Sequence, residues 1–296
     1  MNERIAFVGL GTMGLPMAES LLQRQMRVVG YDMRPAAVDR IVAAGGEGAP
    51  TAAKAAEDAS VLVLMVVNAD QAEAVLFDGG ALAALAPGAA VILTATCAPG
   101  RVAEIAARIE QTGRALVDAP VSGGVAGIRD NTLTVMASAP KPVFERVKPI
   151  LLAFGRNVYH LGEAPGQGAA MKIVNQLLCG VHIAATAEAL ALAERSGIDP
   201  KVALEIVAGS AASSWMLRNR GPRMVEADPD VLSAVDIFVK DLGLVLAAGS
   251  SSKMGLPLAA TAYQQFLTAA GLGLGSKDDS QVIAAYRALA PKAGKT

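Results

Sequence analysis

The 296-residue chain sets 26 lysines and arginines against 27 aspartates and glutamates, for a formal net charge of -1, and has only two histidines and two cysteines. The two signs are mixed along the chain, so neither a nucleic-acid nor a membrane-surface partner is expected. Cys97 and Cys179 lie far apart and form no C-x-x-C or C-x-x-H pattern, which implies no disulfide framework and no structural zinc, and leaves a reducing cytoplasm as the expected compartment.

The first predicted element is an apolar strand, Ile5 to Val8, close enough to the N-terminus that no signal peptide is expected. It runs into Gly9-Leu-Gly11-Thr12-Met13-Gly14, a G-x-G-x-x-G sequence followed by a helical pattern through Met17, Ala18, Leu21 and Leu22. A second strand, Arg27 to Tyr31, then delivers Asp32. Strand, glycines, helix, strand and terminal acid in that order predict a dinucleotide site. Gly9 permits the tight turn, Gly11 lets the backbone reach the pyrophosphate, and Gly14 lets helix and strand pack closely. The helix N-terminus offers N–H groups and partial positive charge to the phosphates. A carboxylate at Asp32 accepts from the adenosine ribose 2′-OH and repels a 2′-phosphate, so NAD is the expected cofactor. Arg34, two residues on, has two readings: it turns towards a phosphate, or it is solvated.

Further strands are predicted at Val61 to Val66, Ala90 to Leu93 and Ala115 to Val117, with helices beginning near Ala36, Ala52, Ala69 and Gly100. This alternation predicts an α/β domain with a doubly wound, mainly parallel sheet. Strands at Leu133 to Met136 and Asn157 to His160 flank a helix that follows Pro142. Beyond Gly162 strand signals almost vanish, and Ala- and Leu-rich helices take over, with breaks expected at Gly197-Ile-Asp-Pro200, Gly221-Pro222, Asp228-Pro229 and Gly255-Leu-Pro257. The expected organisation is a Rossmann domain over 1–163 and an all-α domain over 164–296, joined by a long interdomain helix. Mean hydropathy is high, +0.41, and 173–193 is apolar enough to raise the question of a membrane span. Asn175, Gln176, His182 and Glu188 within it favour a helix buried in protein.

Two segments carry candidate chemistry. Asp118-Ala-Pro-Val-Ser122-Gly123-Gly124 follows a predicted strand, where ligands of open α/β sheets bind, and its glycine N–H groups and serine hydroxyl could cradle a carboxylate or simply form a turn. Gly162-Glu-Ala-Pro-Gly166-Gln-Gly168-Ala-Ala-Met-Lys172-Ile-Val-Asn175 opens the apolar helix. An ammonium there loses hydration, which draws its pKa towards the range of proton exchange that a catalytic lysine requires; the plainer reading is a snorkelling surface lysine. Asn175 shares a helix face with Lys172, and at helical spacing Cys179 and His182 continue that stripe.

These motifs, with the later Lys240-Asp241-Leu run, resemble the β-hydroxyacid dehydrogenases over nearly the whole chain. The resemblance implies a Rossmann domain joined to a helical domain, NAD as cofactor, a small hydroxy acid as substrate, and a homodimer or homotetramer. It makes Lys172 the catalytic lysine, Asn175 its substrate-orienting partner, and Ser122, Gly123 and Gly124 the carboxylate-binding group. Lys240 matches a lysine that reaches cofactor and active site. Thr96 matches the threonine of the family's cofactor loop, with Ala95 and Leu93 replacing its usual serine and acid. Val66-Val67-Asn68 stands where the family's nicotinamide-side loop lies, without its proline. Within the family, Asn175-Gln-Leu-Leu-Cys-Gly-Val-His182, Ser214-Trp215-Met216, the run from Ala234 to Leu244 and Lys277-Asp-Asp-Ser280 imply L-threonate as substrate, which a polar stripe on the helix suits. Packing and substrate contact both stand as readings of His182 and Trp215. No metal is expected, because a lysine supplies the acid-base chemistry. The contrasting expectations are the same chemistry on 3-hydroxyisobutyrate, D-glycerate with its tartronate semialdehyde partner, or D-threonate, and a non-catalytic nucleotide-binding module.

Overall fold

The computed structural model describes residues 3–289. The chain divides into two compact units, Met1–Lys172 and Ile173–Thr296. In the first, six parallel strands stand in the order β3-β2-β1-β4-β5-β6: β1 (Arg4–Val8), β2 (Arg27–Tyr31), β3 (Glu47–Gly48), β4 (Val61–Leu64), β5 (Ala90–Leu93) and β6 (Ala115–Asp118). The order reverses at β1, which pairs with β2 on one side and β4 on the other. Ligands of open sheets bind beyond the carboxyl ends of strands at such a reversal.

Alternation along β1 sets the layers. Ile5 and Phe7 enter one core, and Ala6 and Val8 the opposite one. The first core gathers residues of α1 (Gly14–Gln23) and α2 (Pro35–Ala43), and the second gathers those of α3 (Ala52–Ala56). Short helices α4 (Ala69–Glu73) and α5 (Ala81–Ala84) follow, and α6 (Pro99–Glu110) buries Val102, Ile105, Ala106 and Ile109 on the second face. A three-stranded sheet comes next: β7 (Val121–Ser122) is antiparallel to β8 (Thr134–Ala137), which is parallel to β9 (Asn157–His160). Its helices are α7 (Gly124–Arg129) and α8 (Lys141–Phe154), the latter carrying Pro142 in its first turn, where a missing N–H costs nothing.

Helix α9 (Gln167–Arg195) carries the chain from the first unit into the second. It is long and apolar enough to cross a membrane, and half of its most apolar stretch is buried inside the protein. The second unit continues with α10 (Pro200–Ala208), α11 (Trp215–Met224), α12 (Val235–Ser251), α13 (Pro257–Ala269) and α14 (Ile283–Ala288) around a core that includes Ile183, Leu190, Phe238, Leu242 and Phe266. The break expected at Gly221-Pro222 does not occur: both residues lie inside α11. Pro222 falls in its last turns, and Gly221 serves packing, since a Cβ there would lie 2.4 Å from the Leu204 side chain of α10.

Candidate active site

In the first unit the three fingerprint glycines differ in what surrounds them. Gly9 has φ +95°, and a Cβ on it would meet the Met65 carbonyl oxygen at 2.2 Å. A Cβ on Gly14 would meet the Gly9 carbonyl oxygen at 1.8 Å, so β1 and α1 pack backbone to backbone. Gly11 faces open space apart from the tip of Arg34 at 3.7 Å. A cleft of about 700 Å³ opens there, lined by Gly11 and Thr12 and by Arg34, Arg40 and Arg129. Room at Gly11, a helix N-terminus at Gly14 and a cationic lining fit the diphosphate of a dinucleotide.

Asp32 reaches back to this turn. Its Oδ2 accepts from the Leu10 N–H at 2.8 Å, and its Oδ1 from the Arg34 N–H at 2.9 Å and Nε at 3.0 Å. Burial pushes the Asp32 carboxyl up, but the Arg34 and Leu10 hydrogen bonds together with the Arg34 charge outweigh it and hold the group below its usual range. Arg34 thus forks onto Asp32 while its side chain stays largely exposed at the edge of the cleft. A carboxylate has about four acceptor positions, so the arrangement still suits a ribose hydroxyl.

On the far side of the reversal, Asn68 caps α4 by accepting from the Gln71 N–H at 2.9 Å, and the exposed Val67 gives its own N–H to the Gln71 side chain at 3.0 Å. Thr96 is half-buried in the loop between β5 and α6. Ser122 ends β7, and Gly123, with φ +135°, turns the chain into α7 at Gly124. A Cβ on Gly123 would meet Gly127 and Leu133 at 3.2 Å, whereas Gly124 faces open space. Lys172 is the last residue of this unit and is 6% exposed, so it is not a surface lysine.

In the second unit, Asn175 is half-buried and donates to the Gln176 side chain at 2.9 Å and the Cys179 sulfur at 3.3 Å. Gln176 donates to Oδ2 of Asp241, which is 2% exposed, and Lys240 Nζ stands 2.7 Å from its Oδ1. Gln176, Asn175 and Lys240 thus belong to one network with Asp241 at its hub. Sequence reading named Asn175 and Lys240 but gave Gln176 and Asp241 no role. The acid beside Lys240 was the available signal, and its partner lies 65 residues away.

His182 is partly exposed, and its carbonyl accepts from the Thr186 hydroxyl at 2.7 Å. Trp215 opens α11, is 43% exposed, and has the Arg220 guanidinium 5.9 Å from its ring. Arg220 in turn forks onto the fully buried Asp279, and Arg223 pairs with Asp278 at 2.9 Å. Burial pushes Asp279 up despite Arg220; for Asp278, bonds from Ser280, Arg223 and the Leu232 N–H overcome burial and hold it low. The Lys277-to-Ser280 stretch is therefore a clamp within the helical unit.

Comparison with known proteins identifies the family. The family described as the NAD binding domain of 6-phosphogluconate dehydrogenase matches residues 4–162, and that described as the NAD-binding domain of NADP-dependent 3-hydroxyisobutyrate dehydrogenase matches 166–286. The chain is 45% identical to an L-threonate dehydrogenase of Cupriavidus necator over 96% of both proteins. It is 38% identical to a 3-hydroxyisobutyrate dehydrogenase of Pseudomonas aeruginosa, over 88% of this chain and 90% of that one. A crystal structure described as 3-hydroxyisobutyrate dehydrogenase from Salmonella typhimurium superposes with a TM-score of 0.91 at 43% identity, covering 95% of this chain and 99% of the other.

Proposed function

The chain belongs to the 3-hydroxyisobutyrate dehydrogenase-related β-hydroxyacid dehydrogenases and is an NAD-dependent hydroxyacid dehydrogenase, and on that premise we propose that it oxidises L-threonate at C2 to 2-dehydro-L-erythronate. The observation that carries the substrate is the 45% identity to a relative of that name along almost the full length. The polar character of α9 at Asn175, Gln176 and Cys179 supports it, because a polyol acid has hydroxyls to satisfy and a branched alkyl acid has none beyond its reacting one.

In this reading Gly11, Thr12, Met13 and the start of α1 bind the diphosphate, Asp32 takes the ribose, and Val67, Asn68 and Thr96 border the other end. NAD, when bound, accepts the hydride. Ser122 and the N–H groups of Gly123 and Gly124 hold the substrate carboxylate. Lys172, neutral at its Nζ, removes the hydroxyl proton, and Asn175 orients that hydroxyl. Lys240, paired with the Asp241 that Gln176 also holds, serves substrate and cofactor. We place His182 and Trp215 at the substrate's edge, and the enzyme in the cytoplasm as a homo-oligomer.

The test is NADH formation, followed by ultraviolet absorbance, with NAD or NADP and a panel of L-threonate, D-threonate, D-glycerate and 3-hydroxyisobutyrate. Preferential turnover of L-threonate with NAD is expected. Preference for 3-hydroxyisobutyrate, which the Salmonella likeness favours, would replace the substrate and keep the chemistry. NADH binding without turnover of any hydroxy acid would return the chain to a non-catalytic module.

A further inference from the structure

At the first turn of α9 the Gln167 N–H meets the nearby Ala164 carbonyl at 3.4 Å, and the N–H groups that follow are served from farther away. Gly166 stands at the capping position and has no side-chain oxygen, although the opening N–H groups of a helix need acceptors. The acceptors come from elsewhere in the same unit. Asp118, at the end of β6, is 1% exposed, and its Oδ2 accepts from the Gly166 N–H at 3.1 Å and the Ala169 N–H at 2.8 Å, the latter across 51 residues. Ser138 completes the set: its hydroxyl accepts from the Gly168 N–H at 3.1 Å and donates to the same Asp118 oxygen at 3.3 Å.

This cap is braced on both sides. The backbones of Asp118 and Ser138 exchange two hydrogen bonds, at 3.1 Å and 2.8 Å. The helix lies directly against them, since a Cβ on Gly168 would meet the Met136 carbonyl oxygen at 2.4 Å and that of Asp118 at 2.8 Å. Holding a carboxylate in this dry place is costly. Its other oxygen, Oδ1, is buried and meets no donor among the described residues, and burial pushes the carboxyl up to about 6 against the opposing N–H and hydroxyl donors. Half of the most apolar stretch of this 29-residue helix is buried, so packing along its length, rather than one cap, carries most of its stability.

We propose that Asp118 is a positioning residue: with Ser138 it forms a tertiary cap that fixes the first turn of α9, and through that turn the place of Lys172, three residues beyond Ala169. The inference rests on Lys172 as the acid-base group. Small displacements of such a group lower rates steeply, with ~10²-fold for about 1 Å as a guide.

The experiment compares D118A, D118N, S138A and K172A for kcat, KM for the hydroxy acid, NADH affinity by fluorescence, and Tm. D118A is expected to lower kcat ~10- to 100-fold while NADH affinity stays within about threefold. D118N should recover most of that loss, because an amide oxygen caps a helix about as well as a carboxylate. S138A, which removes the Gly168 acceptor and the hydroxyl bond to Asp118 but leaves the carboxylate on Gly166 and Ala169, should lower kcat by ~3- to 10-fold. If D118A or S138A loses Tm but keeps wild-type kcat, Asp118 serves only the fold and the proposal is overturned; S138A decides the matter should D118A not fold. Near-normal turnover by K172A would instead remove the lysine reading itself, a failure distinguishable from normal turnover by D118A beside an inactive K172A.

Discussion

Lys172 and Asp32 are both ionisable groups brought out of water, and each depends on its surroundings. Asp32 is compensated by Leu10 and Arg34 and remains ionised. Lys172 is 6% exposed at the opening of an apolar helix, where an ammonium is retained only if its chemistry or its partners offset lost hydration. K172A is expected to lower kcat by ~10²- to 10⁴-fold with NADH affinity nearly unchanged, read by steady-state kinetics and fluorescence titration; turnover within tenfold of wild type would exclude the lysine as general base. At this scale the sequence was informative wherever partners are close in the chain. Gly9, Gly11, Gly14 and Asp32 span 24 residues, and their spacing specifies a known turn. Gln176 and Asp241 were not legible as a pair, because their meeting depends on how α9 and α12 pack. Asp118 was visible as a letter in a glycine loop, but its task depends on Ala169, 51 residues on.

Among the elements, the long apolar runs were readable and the shortest pieces were not. β4 and β5 are buried along every residue, so continuous hydrophobicity identified them as interior strands. β3 and β7 have two residues each, too few for any alternation to register. Pro222 misled for a different reason: a proline inside a helix forfeits one N–H to carbonyl bond and crowds the preceding turn, a cost that α11 bears while Gly221 packs against Leu204. The start of α9 was readable as glycine-rich but not as a backbone-to-backbone contact. G168A should therefore force the first turn away from Met136 and Asp118, with kcat at least tenfold lower and ~1–3 kcal/mol of stability lost. Kinetics together with thermal melting check this, and wild-type values in both would mean that the turn can yield.

For the molecule as a whole, the Asp118 carboxyl links folding to pH. Its folded-state value is raised from 3.8 to about 6, so between those limits the folded chain holds a proton that the unfolded chain has released. The stability contributed by this group is present in full below the unfolded value and is lost as pH rises through about 6, in total ~3 kcal/mol. The Tm of the wild type, referred to that of D118N at each pH, should decline between pH 4 and 7, and scanning calorimetry of both would show it. A constant gap would mean that Asp118 does not titrate there. The glycine turn has a consequence on a longer clock. Gly9 and Gly14 each face fixed backbone, so a lineage that substitutes either loses the fold before any coenzyme is consulted. Gly11 meets only the tip of Arg34, at 3.7 Å, so on the proposed reading heredity at that position is policed by the dinucleotide, and a descendant that gave up the cofactor would be free to drift there first.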